Sequence, residues 1–459
     1  MSASSLKMEL TSLRSAYAQA IKHHMAGAAE FVLSNPSIAD AQLLSAYVAL
    51  ENQPSDDSLS CSHEQKDKAV CRYRVPNQPD AVDRVLSNCS DRSVREIVWT
   101  NFRNRGKPAN YGTAQRILIA RSKFANIMGF QNHAQFSMCH SMVSDAEGVL
   151  TLCGTLLEPA KRAFQREMSQ LLEVSAGDGI IDSRDFMPWD YTYYYDKLRK
   201  GDPSLASFEE LPTFKLAEVM NGLTWLVQEL YGDSMAPAPD APRYHQHVLP
   251  YSLKSSSGAL LGLMYVDVWT RPGKSPGNWT QHIIRASSAT GGRHVVSLNC
   301  NFEHLIGDPD GMNFDHVRLL LREFGHCLHC LYSDVKYASL SGMTTPDDHV
   351  DLPSTLHEKF LHDPRFLCRL TTAKLPVGIC SKLMANFCKN IGYTMLRAVS
   401  SSILDLRLHT LPLHVLETLN VEDFELKLYA ELGMPPQIPY LYESSSFDHV
   451  FCLDYRYYL

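Results

Sequence analysis

Leu321-Arg-Glu-Phe-Gly-His-Cys-Leu-His329 is the stretch on which the reading of this chain turns. A single change, Arg322→His, makes it H-E-x-x-H. In that helix-borne pattern two histidines at i and i+4 share a face and hold Zn²⁺, while the glutamate acts as general base on a water at the metal. Glu323 and His326 are present, and an arginine stands where the first histidine belongs. A guanidinium stays protonated and has no lone pair to give, so it repels a dication.

Apolar spacing predicts a helix from Phe314 to about Tyr332, capped by Asn313, with Val317, Leu320, Leu321, Phe324, Leu328 and Leu331 as its buried stripe. Position 322 and His326 fall together on an adjacent face. An acidic segment, Asp347-Asp-His-Val-Asp351-Leu-Pro-Ser354, follows, with Asp351 25 residues beyond His326. Asp351 is a candidate third ligand from a neighbouring helix, since such zinc sites combine two histidines with a carboxylate. The plainer alternative is a first-turn carboxylate facing the helix dipole, with Asp348 as cap. A substitute ligand set of His326, His329, Cys330 and Asp351 is a third arrangement to weigh.

The 459 residues suffice for two or three packing units. A hydrophobic share of 45% and a net charge of -7 describe a soluble globular chain without a broad basic surface, so nucleic acid is not expected as a partner. No apolar run reaches the roughly 18 residues of a membrane span. Twelve irregularly spaced cysteines suit a reducing compartment, with Cys327 and Cys330 read as helix residues rather than a redox pair. Asn278-Trp-Thr280 matches a glycosylation sequon by chance. Lys7, Arg14 and Lys22 against the lone acid Glu9 are compatible with a mitochondrial presequence. Leu6, Leu10, Leu13, Tyr17 and Ile21, at helical spacing, equally describe an ordinary amphipathic helix.

Helical patterns are expected over residues 6–50, from Ala81 to about Val174 and over 211–231, with a polar, Pro-punctuated linker at 52–80. The tyrosines after Pro188-Trp-Asp190 (Tyr191, Tyr193, Tyr194, Tyr195) read as a core wall or as a peptide groove. Ala259–Trp269, Gln281–Arg285 and His294–Cys300 read as strands, a small sheet inserted among helices. The expected organisation is a divergent helical N-terminal segment and loop (1–80), a helical lobe (81–235) and a catalytic-type lobe (236–459).

These residues together resemble the thimet-oligopeptidase family of zinc peptidases, in its mitochondrial intermediate peptidase branch. The family motif is H-E-[FM]-G-H-x-[LM]-H, with a glutamate ligand in V-E-x-P-S. Leu321–His329 and Val350-Asp-Leu-Pro-Ser354 match both at the right separation. Pro188-Trp-Asp190, Tyr265-Val-Asp267 with Arg271-Pro-Gly-Lys274, and Pro439-Tyr440 through Ser446-Phe447-Asp-His449 to Tyr457-Tyr458-Leu459 are similar to further family segments. The resemblance runs from about residue 90 to the C-terminus. It implies a mainly α fold with a small inserted β-sheet, a two-lobed helical ellipsoid with a deep channel. It also implies Zn²⁺ as cofactor, short or unfolded peptides as partners, a monomer, and a mitochondrial setting with the cytoplasm as alternative. Glu323 and His449 take the catalytic roles, His326 and Asp351 the metal, and Tyr457 and Tyr458 the substrate.

The departures fall on those same positions. Arg322 replaces the first ligand, Asp351 is one methylene shorter than glutamate, and Leu453 stands for a family tyrosine. Leu459 precedes the next such tyrosine and the family's terminal helices. The expectation is a metallo-oligopeptidase-like protein with a degenerate metal site, inactive or impaired and binding peptides. The alternative is a functional zinc metalloendopeptidase that cleaves short peptides and imported presequences.

Overall fold

Leu6, Leu10, Leu13, Tyr17 and Ile21 recur every three or four residues, and a helix over Ala3–Met25 buries all five. The computed structural model describes residues 2–34, 36–47, 70–143, 145–205, 211–274, 277–289, 291–303, 305, 308, 310–453 and 456. Most of these are helical, with small sheets between, in line with the mainly α expectation. The chain forms two compact units. One comprises Met1–Cys139, Val143–Asp202 and Lys389–Leu459; the other comprises His140–Met142 and Pro203–Cys388.

In the first unit the helical expectation for residues 6–50 holds at Ala3–Met25 and Ile38–Leu44 and fails between them. Ala28–Ser34 (β1) pairs antiparallel with Val70–Pro76 (β2). Ala29, Phe31 and Leu33 are buried while Glu30 and Val32 are exposed, the period of two that a strand requires. Pairing with β2 overrides the weaker helical pattern of this short run. The linker expected at 52–80 therefore stops short of β2, and its residues 52–69 lie outside the described ones. Ala146–Ser175 and Ile391–Thr410 are two further long helices of this unit. They meet at Gly392, where an added Cβ would lie 2.3 Å from the backbone nitrogen of Phe164. Glu167 accepts from the N–H groups of Gly392 and Tyr393 and so caps the second helix.

The tyrosine cluster is a core wall. Tyr191 and Tyr194 are buried, and Tyr191 stacks on Tyr393 at 3.7 Å between ring centroids. Asp190, wholly buried, accepts from Arg95 at 2.9 Å and Arg92 at 2.7 Å. Its charge is tolerable there because it is paired twice.

The second unit holds a five-stranded sheet. Its strands are Ser234–Pro237 (β4), Leu249–Lys254 (β5), Leu260–Trp269 (β6), Trp279–Ile284 (β7) and His294–Phe302 (β8), in the order β4-β5-β6-β8-β7. The short strands Phe214–Lys215 (β3) and Gly311–Met312 (β9) pair separately. β6 and β8 run parallel, the other pairs antiparallel. The sequence patterns indicate β6, β7 and β8, whereas β4 and β5 flank a proline-rich stretch that masks them. Asp267, at the end of β6, anchors the turn into β7 by binding Arg271 through both oxygens, at 2.6 and 2.8 Å, and Lys274 at 3.0 Å. The helix Phe314–Leu331 packs across β6, β8 and β7, and its six predicted stripe residues are all buried in the core that includes the sheet. Asn313 caps it by accepting from His316 N–H at 2.8 Å. Among the described residues no helix is long and apolar enough to cross a membrane.

Glu425 gives this fold a pH dependence. It is buried in the first unit, where its carboxyl accepts from the N–H and hydroxyl of Ser444. Burial pushes its pKa from 4.5 to about 8, with Glu443 adding to the rise and Ser444 and Lys107 opposing it. Between those values the folded state holds a proton that the unfolded state has lost, so stability falls as pH rises from about 4.5 to 8. Glu425→Gln keeps the acceptor and removes the ionisation. Denaturant titrations should show a flatter pH profile for the variant and a gain of roughly 2–4 kcal/mol at the alkaline end.

Candidate functional site

Gly325 lies where the motif helix Phe314–Leu331 meets the shorter helix Leu352–Lys359. A Cβ there would sit 2.6 Å from Pro353 O and 2.7 Å from Ser354 Cα, so the two backbones touch. That contact brings the first turn of the shorter helix over the face that carries Arg322 and His326. Asp351 occupies its N-cap position, but its side chain makes no capping bond. The carboxylate turns to the motif helix instead. Asp348 is not the cap either, since its carboxylate accepts from Met142 N–H.

Asp351 Oδ1 lies 3.2 Å from Arg322 Nη2 and 3.3 Å from His326 Nε2. One carboxylate oxygen therefore faces a guanidinium and an imidazole at once. The hydrogen bond from His326, with the Arg322 charge beside it, holds the Asp351 carboxyl below its ordinary value against partial burial. In this arrangement His326 Nε2 carries the proton. Its Nδ1 is buried without a hydrogen-bond partner.

Glu323, on the neighbouring face, is buried. Its carboxyl pKa is raised by that burial; Thr280, His326 and Arg322 oppose the rise, and Asp351 adds to it. The Thr280 hydroxyl, on β7, lies 3.0 Å from both Glu323 Oε2 and the Glu323 carbonyl oxygen. Sequence reasoning missed Thr280, because it saw that residue only as the end of a sequon. Alternation along a strand beside the motif helix was the signal that could have found it.

The donors present do not fit the zinc that the resemblance implies. Two atoms each about 2.1 Å from a tetrahedral ion lie roughly 3.4 Å apart, so His326 and Asp351 are spaced as two co-ligands would be. The third vertex is a cation without a lone pair. Among the described residues no three His, Cys, Asp or Glu side chains converge so as to hold a metal ion. The substitute set with His329 and Cys330 is thus not assembled. Cys330 is buried in the core, and burial pushes its thiol up to about 11. Ten of the cysteines, Cys327 and Cys330 among them, are free.

His449 belongs to the first unit. It lies on the helix Asp448–Leu453, its ring edge-on to Tyr442 at 5.4 Å. Leu453 ends that helix, exposed. Tyr457 and Tyr458 lie outside the described residues.

The sequence profile of peptidase family M3 matches residues 85–459. Dipeptidyl carboxypeptidase of Escherichia coli (strain K12) is 30% identical over 396 residues, covering 83% of this chain and 57% of that protein. The mitochondrial intermediate peptidase of Arabidopsis thaliana is 28% identical over 339 residues, covering 69% of this chain and 45% of its own length. The chain thus spans about half the length of these relatives. A solved structure titled PZ peptidase A with inhibitor 2 aligns with a TM-score of 0.46 at 11% identity, covering 81% of this chain and 57% of that one.

The contact at Gly325 sets a test by substitution. Gly325→Ala should destabilise the protein by about 1–3 kcal/mol in denaturant titration, because backbone faces the added methyl and cannot yield as a side chain would. Gly154, in a helix with open space around its missing Cβ, is the control. Gly154→Ala should stabilise by about 0.5–1 kcal/mol.

Proposed function

Because the chain belongs to peptidase family M3, we propose that it is a peptide-binding member whose degenerate centre supports little or no hydrolysis. The contact between Arg322 and Asp351 carries this reading: a permanent cation lies on the carboxylate that a metal would need. Glu323 keeps the position of the general base, but without a bound, polarised water a carboxylate has no activated nucleophile to offer. Losing a ligand outright should cost more than the 10–100-fold in metal affinity or activity typical of changes around the ligands.

Peptide binding has its own support. β7 is an edge strand that pairs, among the described residues, only with β8, and Thr280 ties it to Glu323. An extended peptide can add to such an edge through main-chain hydrogen bonds. The mitochondrial setting rests on the Arabidopsis relative's name. The N-terminal helix lends it no support, since its apolar face is used inside the fold.

Zinc content, hydrolysis of a quenched fluorescent peptide and anisotropy of a labelled peptide test the reading together. The parent protein should bind the peptide, hold far less than one equivalent of zinc and show no chelator-sensitive turnover. Arg322→His should gain zinc and at least about 10²-fold in turnover, and Arg322→His with Asp351→Glu more. One tightly held equivalent of zinc in the parent, with turnover that a chelator abolishes, overturns the proposal.

A further inference from the structure

One turn beyond His326, the motif helix forms a wall of a cavity of about 370 Å³ that lies wholly in the second unit. It falls within the range of small-ligand pockets, about 300–1,000 Å³. Its other walls come from Tyr231, from residues 333–345 and from the helix that follows Asp351.

Tautomer logic shows which polar groups are already engaged. His357 Nδ1 donates to Pro353 O at 2.6 Å, so its Nε2 holds a lone pair, and the Tyr231 hydroxyl donates to it at 3.2 Å. The rings of Tyr231 and Tyr332 lie 4.6 Å apart at 41° and wall one side. Three lining polar atoms are left over: His329 Nδ1, the Tyr332 hydroxyl and Thr345 Oγ1 are buried without a hydrogen-bond partner. Asp334 supplies a carboxylate, and among the described residues no lysine or arginine lines the cavity.

Each class of ligand can be judged against that inventory. An anion meets a carboxylate with no compensating cation. A purely apolar ligand leaves three buried polar atoms unpaired, at about 1–3 kcal/mol each. An ammonium group has three N–H donors to place among the acceptors here (Asp334, His329 Nδ1, Thr345 Oγ1 and the Tyr332 hydroxyl oxygen), and tyrosine faces attract it further. We propose that this cavity binds a primary ammonium group on a short aliphatic chain, either a free amine or an amine carried by a peptide. The proposal does not rest on the state of the metal centre.

Ligand-observed NMR titration of the full chain with n-pentylammonium chloride tests it, with n-pentanol as the neutral isostere. Pentylammonium should saturate and bind at least about 10-fold tighter than pentanol, the difference that one charge-assisted hydrogen bond supplies. Asp334→Asn and Thr345→Val should each weaken it about 3–10-fold. Thr345→Ser should restore it, and Arg322→His should leave it unchanged. Equal thermal midpoints show that the variants are folded. Acetyl-Ala-Lys-Ala-amide and Ala-Ala-Ala-amide, the latter with a free N-terminus, distinguish the sources. Competition by either supports a peptide amine, and competition by neither supports a free amine. No saturable binding, equal binding of pentanol, or binding indifferent to both Asp334→Asn and Thr345→Val overturns the proposal.

Discussion

The approach of two backbones at Gly325 is the constraint on which the site depends. With no side chain between them, Pro353 O and the missing Cβ of Gly325 come within 2.6 Å, closer than any other residue type permits. Asp351 follows from that contact. It stands one residue before the short helix begins, and the crossing presents it to the i and i+4 positions of the motif helix. The same geometry that would gather three ligands round an ion here gathers a guanidinium, an imidazole and a carboxylate.

The fold does not depend on that centre for its strength. The Arg322 and Asp351 side chains are 36% and 47% exposed, and an ion pair so open to solvent contributes about 1 kcal/mol or less. Each buried stripe residue of the same helix contributes about 1.5–3 kcal/mol through apolar burial. Val317, Leu320, Leu321 and Phe324 are all fully buried. An arginine at the ligand position therefore changes the chemistry of the surface-facing side and leaves the packing side intact. This separation explains how a peptidase-family scaffold can carry a cation where its chemistry calls for a lone pair.

Buried polar groups of the two units divide by whether a partner is already in place. Asp190 and Asp267 are buried and bonded to two cations each, which makes them fixed parts of the frame. The Glu323 carboxyl is buried with a single hydroxyl as its neutral partner, and its pKa is raised accordingly. His329 Nδ1 and Thr345 Oγ1 have none. Groups of the last two kinds retain capacity for a ligand, since desolvation has been incurred without full compensation.

The local part of this account was legible in the sequence. Helical periodicity located the motif helix, its Asn313 cap and six residues of its buried face, because those features depend on neighbours three or four positions away. The N-terminal helix was legible for the same reason, and the absence of a lone pair on Arg322 follows from its covalent chemistry alone. Periodicity could not show that residues 28–34 pair with 70–76, since a short run is decided by a partner distant in sequence. Nor could it show Thr280 against Glu323, or the choice Asp351 makes between capping its own helix and bridging to the next. Those outcomes are contacts across 25 to 43 residues of chain, and only packing fixes which side chains then share one oxygen or one hydroxyl.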